Sequence, residues 1–105
     1  MTDPFDSAPF EFSAELWRWR PDGAWVFLTL PDDVSAEIRQ QPRPPRPGFG
    51  SIRVSVTIGP STWTTSIFPD SESGGYVLPV KKAVRTAAGA DIGDEVAVVL
   101  DVIDH

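Results

Sequence analysis

Three cations stand close together at Lys81, Lys82 and Arg85, directly after the apolar run Tyr76-Val77-Leu78-Pro79. Three positive charges within five residues of a short helix are the raw material of an anion site. Lys81 and Lys82 fall near the start of that helix, where free backbone N–H groups already favour an anion. Lysines there oppose the helix dipole, and such a breach of a local rule points to function. Thr65 and Ser66, at the end of the preceding strand, could add hydroxyl donors. Trp63 offers an aromatic face for stacking, and Tyr76 lies at the start of the apolar run. Arg53 belongs to a second basic group with Arg39, Arg43 and Arg46. The candidate ligand-binding set is therefore Arg53, Trp63, Ser66, Tyr76, Lys81, Lys82 and Arg85. An ordinary amphipathic helix with a solvated basic face accounts for the same cations.

Other chemistries lack their residues. The 105-residue sequence has no cysteine, which removes disulfides, thiolate metal sites and cysteine nucleophiles. Its single histidine is His105, the last residue, so a Ser-His-Asp triad or a His-based metal centre has no internal imidazole. Asp91, Asp94 and Glu95 form an acidic group whose simpler role is a turn. Gly48-Phe49-Gly50 is too short for a dinucleotide fingerprint. No catalytic residue, metal site or cofactor is assigned. The net charge of −6 disfavours a general nucleic-acid binder, which needs surplus Lys and Arg to neutralise phosphates. No signal peptide or membrane-spanning segment is visible, so the expected location is the cytoplasm.

The elements that must position these residues follow from periodicity. Residues 1–8 mix Asp, Ser, Pro and Ala as a lead-in, and a single domain is expected over 9–103. Phe10, Phe12, Ala14 and Leu16 alternate with polar residues as a half-buried strand. After Leu16 the apolar phase flips to Trp17 and Trp19, which implies a bulge or a strand passing from one sheet to another. Pro21-Asp22-Gly23 is a turn. Ala24–Leu30 is apolar on both faces, as a central strand is. Asp32 is the expected N-cap of a helix with Val34 and Ile38 on its buried stripe, ended by Pro42. Gln41–Gly48, with four prolines, reads as a stiff polyproline connector. Ile52–Ile58 alternates strictly, Gly59-Pro60 turns it, and Ser61–Phe68 returns. The basic helix is expected to bury Val80, Val84 and Ala87. The last strand runs Glu95–Ile103, with Val96, Val98, Leu100 and Val102 on one side.

The chain also repeats a plan. Strand, Leu-Pro, short helix, hydrophobe-Arg and a Gly-led alternating strand occur from Trp25 to Val56 and again from Tyr76 to Val98. Two such units could close on each other. The fold class expected is mainly β: a small closed or double-split barrel of about six to seven strands with two short helices and a pseudo-twofold internal repeat, closure removing sheet edges.

Gly48-Phe49-Gly50-Ser51-Ile52-Arg53-Val54, Thr57-Ile58-Gly59 with Trp63, Thr65-Ser66-Ile67-Phe68-Pro69, the stretch Gly75–Arg85, and Gly93-Asp94-Glu95-Val96 together resemble the bacterial domain-of-unknown-function 1905 family. The resemblance covers nearly the whole chain, with Thr65 to Arg85 its most specific part. It implies a small barrel of the double-split type, related in shape to the swapped-hairpin regulators of the AbrB class. Some relatives carry a further YdeI-type domain. The family brings no established reaction and no agreed catalytic residues.

Three functional classes follow. The leading one is a non-enzymatic binding or interaction domain for a small anionic ligand or a protein partner, acting as a monomer or weak homodimer. The second is an AbrB-like DNA-binding regulator, which the acidic balance opposes and which steep salt dependence would reveal. The third is a hydrolase-type enzyme with Ser66 as nucleophile and Lys81 or Lys82 as base, which requires a buried lysine.

Overall fold

The computed structural model describes residues 9–19, 25–40 and 50–103. It contains strands β1 (Phe10–Arg18), β2 (Val26–Thr29), β3 (Ile52–Ile58), β4 (Ser61–Pro69), β5 (Tyr76–Pro79) and β6 (Glu95–Val102), with helices α1 (Asp32–Gln40) and α2 (Lys82–Ala88). The six strands close into one antiparallel barrel in the order β1-β2-β5-β4-β3-β6. The turn at Pro21-Asp22-Gly23, the polyproline connector, the lead-in and Phe49 lie outside the described residues. None of the described helices is long and apolar enough to cross a membrane.

Alternation places the core. Ile52, Val54, Val56 and Ile58 of β3 and Val96, Val98, Leu100 and Val102 of β6 all point inward and are buried. Leu16, Leu28, Leu30, Ile38, Ile67 and Leu78 fill the rest of the interior. β1 resolves its phase flip by changing neighbours: residues 10–15 pair with β6, and Leu16, Trp17 and Arg18 pair with β2. The chain thus passes from one part of the barrel wall to the next. The β3–β4 hairpin pairs Ile58 with Ser61 across Gly59-Pro60. Gly59 has φ 56° and the following proline is held to negative φ, the sign pattern of a type II′ hairpin turn.

The internal repeat is visible in the topology. Advancing every strand by three maps β1, β2 and β3 onto β4, β5 and β6, and the ring of neighbours is unchanged. The two halves are β1-β2-α1-β3 and β4-β5-α2-β6. They meet along β3–β4, β3–β6, β1–β6 and β2–β5, the last with Leu28 opposite Leu78. Flanking bonds extend that ladder, from Leu30 N–H to the Tyr76 carbonyl (3.0 Å) and from Val80 N–H to the Val26 carbonyl (2.9 Å).

Three local expectations shift. The first α1 bond runs from Ser35 N–H to the Pro31 carbonyl (2.9 Å), so Pro31 holds the cap position and Asp32 sits inside the first turn. In α2 the buried stripe continues from Val80 and Val84 to Ala88, spaced by four, while Ala87 is exposed. β2 is apolar on both faces, yet only Val26 and Leu28 point into the barrel; Trp25 just before it is 62% exposed.

Candidate functional site

A groove of about 700 Å³ opens beside α2. Its walls come from four consecutive staves of the barrel and the helix above them. β1 contributes Arg18, and β2 contributes Val26 with Trp25 just before it. β4 contributes Trp63, Thr64 and Thr65, and β5 contributes Pro79. Val80, Lys81, Lys82 and Arg85 close the side formed by α2 and its lead-in. This volume lies in the range of small-molecule sites.

Local rules explain why these side chains converge. Pro79 is the last residue of β5 and Lys81 is still extended, with φ −72° and ψ 157°. The chain therefore bends into α2 at the groove's edge, carrying Lys81 and Lys82 with it. Val80 and Val84 anchor the helix to the core, and this orients Arg85 beside them. Arg85 Nε–H donates a long bond to the Val80 carbonyl (3.4 Å), which holds the half-buried guanidinium stem against the wall. At its far end α2 closes with Gly89 N–H to the Thr86 carbonyl (3.1 Å) and Ala90 N–H to the Arg85 carbonyl (2.9 Å), the paired bonds of a Schellman motif.

The described lining residues carry charge of one sign. Arg18, Lys81, Lys82 and Arg85 line the groove, and no carboxylate stands among its described lining residues. Lys81 Nζ sits 6.0 Å from the centroid of the Trp63 ring, at cation–π range. Trp63 is half-buried and packs on the core, which fixes its ring. α2 has seven residues and no side-chain N-cap bond. The positive character of the groove comes from the side chains of Arg18, Lys81, Lys82 and Arg85. Such a concave, cationic, aromatic-lined surface can bind an anion by charge-assisted hydrogen bonds and hold a planar group by stacking.

Of the expected set, the structure brings Trp63, Lys81, Lys82 and Arg85 together. It does not bring Arg53, Ser66 or Tyr76 to the groove. Ser66 and Arg53 are partners across the β3–β4 ladder. Ser66 shares the outward face of Thr64, but it lies two residues further along β4 and is not among the lining residues. Tyr76 points inward and is 6% exposed. Its ring lies beneath Arg39 of α1, with the guanidinium carbon 5.6 Å from the centroid. Both lysines are exposed, and Ser66 is not a lining residue of the groove. Among the described residues no group of three or more acidic or histidine side chains gathers as a metal site.

Arg18, Trp25, Thr64 and Pro79 are lining residues that periodicity alone did not single out. The signal for the first two is the hairpin register, in which Arg18 pairs with Val26 and brings Trp25 to the same end of the barrel. The tryptophans flanking the hairpin are held by Phe27. Its ring lies 5.3 Å from that of Trp17 and 6.2 Å from that of Trp25. Trp17 Nε1–H also donates to Thr29 Oγ1 at 2.9 Å.

Among curated proteins nothing matches the chain. A family model described as a domain of unknown function (DUF1905) matches residues 12–100, which takes in all six strands in whole or part and both helices. With that match spanning most of its length, the chain belongs to the DUF1905 family.

Proposed function

We propose that this is a binding domain that takes a small anionic ligand in the α2 groove. The observation that carries the reading is the convergence of Arg18, Lys81, Lys82 and Arg85 on one concave surface in a chain whose net charge is −6. In an acidic protein a local positive cleft focuses field lines and draws anions to itself. Trp63 and Trp25 supply flat apolar walls, and Thr64 and Thr65 add hydroxyls. The cysteine-free sequence supports the cytoplasm as its setting.

Isothermal titration calorimetry with phosphate, sulfate and a nucleoside monophosphate tests this. One-to-one binding of at least one of the three is expected. Lys82→Ala should weaken it about tenfold, the worth of one charge-assisted hydrogen bond. Absence of heat for all three with the folded protein would overturn the reading.

A further inference from the structure

The outer face of the β2–β5 ladder carries a second surface. Trp19, Trp25, Phe27, Phe68, Val77 and Pro79 line a shallow depression of about 340 Å³ with hardly a polar atom in it. Alternation creates it. Val26, Leu28 and Leu78 point into the barrel, so Trp25, Phe27, Val77 and Pro79 must point out. The register sets Phe27 against Pro79 and Phe68 against Val77, which welds the apolar side chains of three strands into one sheet of carbon. Trp19, Trp25 and Phe68 are 58%, 62% and 40% exposed. Contiguous apolar surface of this kind on a small domain marks a binding face.

The depression does not stand apart from the groove. Trp25 and Pro79 line both. The cations therefore sit at one end of a continuous surface and the aromatic shelf at the other. A ligand complementary to that surface is anionic at one end and flat and apolar at the other.

We propose that the groove and the shelf form one bipartite site for an aromatic anion. The ligand is a planar ring system carrying a phosphate-like group. Its charged head lies among Lys81, Lys82 and Arg85 and its ring lies against Trp25, toward Phe68. This deepens the proposed function and rests on it. Free phosphate satisfies only the cationic end, and a neutral arene satisfies only the shelf.

Titration of the full chain with inorganic phosphate, 1-naphthyl phosphate and 1-naphthol tests the proposal, read by calorimetry. The naphthyl ester should bind about tenfold more tightly than phosphate, as stacking plus apolar burial allows, and more tightly than naphthol. Phe68→Ser lies on the shelf alone. It should abolish the gain of the naphthyl ester over phosphate and leave phosphate affinity unchanged, which also shows that the variant is folded. Lys82→Ala should weaken both phosphates. Equal affinity for phosphate and its naphthyl ester would overturn the bipartite site while leaving the anion groove standing. Failure of both to bind would overturn the groove as well. Sedimentation of the wild-type chain and of Phe68→Ser adds a further arm. A dimer that Phe68→Ser dissociates would show that a second copy covers the shelf, and would also overturn the proposal.

Discussion

The two halves of the barrel follow one plan, and their helices begin in opposite ways. α1 opens on Asp32 and Asp33 and carries Arg39 in its last turn, so both ends suit the helix dipole. Its residues serve the fold. Ser35 is 2% exposed, and its Oγ accepts the Tyr76 N–H at 3.2 Å. Arg39 donates to the Gly74 carbonyl at 2.7 Å and covers the Tyr76 ring. α2 opens on Lys81 and Lys82 with no acidic residue in its first turn and no side-chain cap. Its cations face a groove instead of a neighbouring element. Where the local rules are kept, the side chains are tied to the rest of the barrel. Where they are broken, the side chains line an open cleft.

The largest effects should come from the β2–β5 ladder, one of the seams between the halves. Leu28→Ala and Leu78→Ala each remove a fully buried side chain at the centre of the β2–β5 pairing. Each should cost about 2–5 kcal/mol in urea denaturation. The two costs should be alike if the halves are structurally equivalent. Clearly unequal costs would break that equivalence, and each variant should show a single transition, because a closed barrel unfolds as one unit.

Next comes the clip that ties α1 to β5. A Cβ built at Gly75 would stand 2.6 Å from Ser35 Oγ and 3.0 Å from Ser35 Cβ. Gly75→Ala should therefore cost about 1–3 kcal/mol by overpacking. Ser35→Ala should cost about 1–3 kcal/mol by leaving the buried Tyr76 N–H without its acceptor. Neither change should alter anion affinity. A loss of affinity in either variant would mean that the α1 side of the barrel shapes the groove.

The helix starts give a smaller and more pointed contrast. Lys82→Asp should stabilise the protein by about 0.3–1 kcal/mol at low ionic strength while abolishing anion binding. Asp33→Lys should destabilise it by about the same amount with no effect on binding. Both shifts should fade as salt is added. If Lys82→Asp destabilises the fold, the lysine is structural and the contrast between the helices fails. The smallest effect belongs to the Thr57–Thr62 hydroxyl pair, 2.9 Å apart on the β3–β4 ladder. Thr62→Val should cost about 0.2–1 kcal/mol in thermal unfolding, as expected for one cross-strand pair.

Much of this was legible in the sequence, for reasons that residues make plain. Strict alternation in Ile52–Ile58 and Val96–Val102 identifies strands because one face of a barrel wall is wet. The Leu-Pro-helix repeat anticipates the advance by three strands that maps one half onto the other. Lys81, Lys82, Arg85 and Trp63 stood out by type and spacing, and they do converge. Tyr76 misled because a tyrosine is both core and contact residue; only the inward phase of β5, shared with Leu78, settles its direction. Arg53 and Ser66 misled because a cation and a hydroxyl advertise chemistry whichever face they occupy. Trp25 and Arg18 were hidden because their place depends on the β1–β2 register, a pairing between strands that periodicity along one strand does not encode. β2 looked like a strand buried on both faces, and its outer face is instead the exposed shelf.

If the proposed function holds, an anion binds at the α2 end of the barrel and not at the equivalent α1 end. Backbone amide shifts recorded by NMR during a phosphate titration tell the two ends apart. Shifts are expected at Trp63, Thr64, Thr65 and Lys81 through Arg85, with Asp32 through Glu37 unmoved. Shifts at both helix starts, or at neither, would show that the two ends do not differ in anion binding.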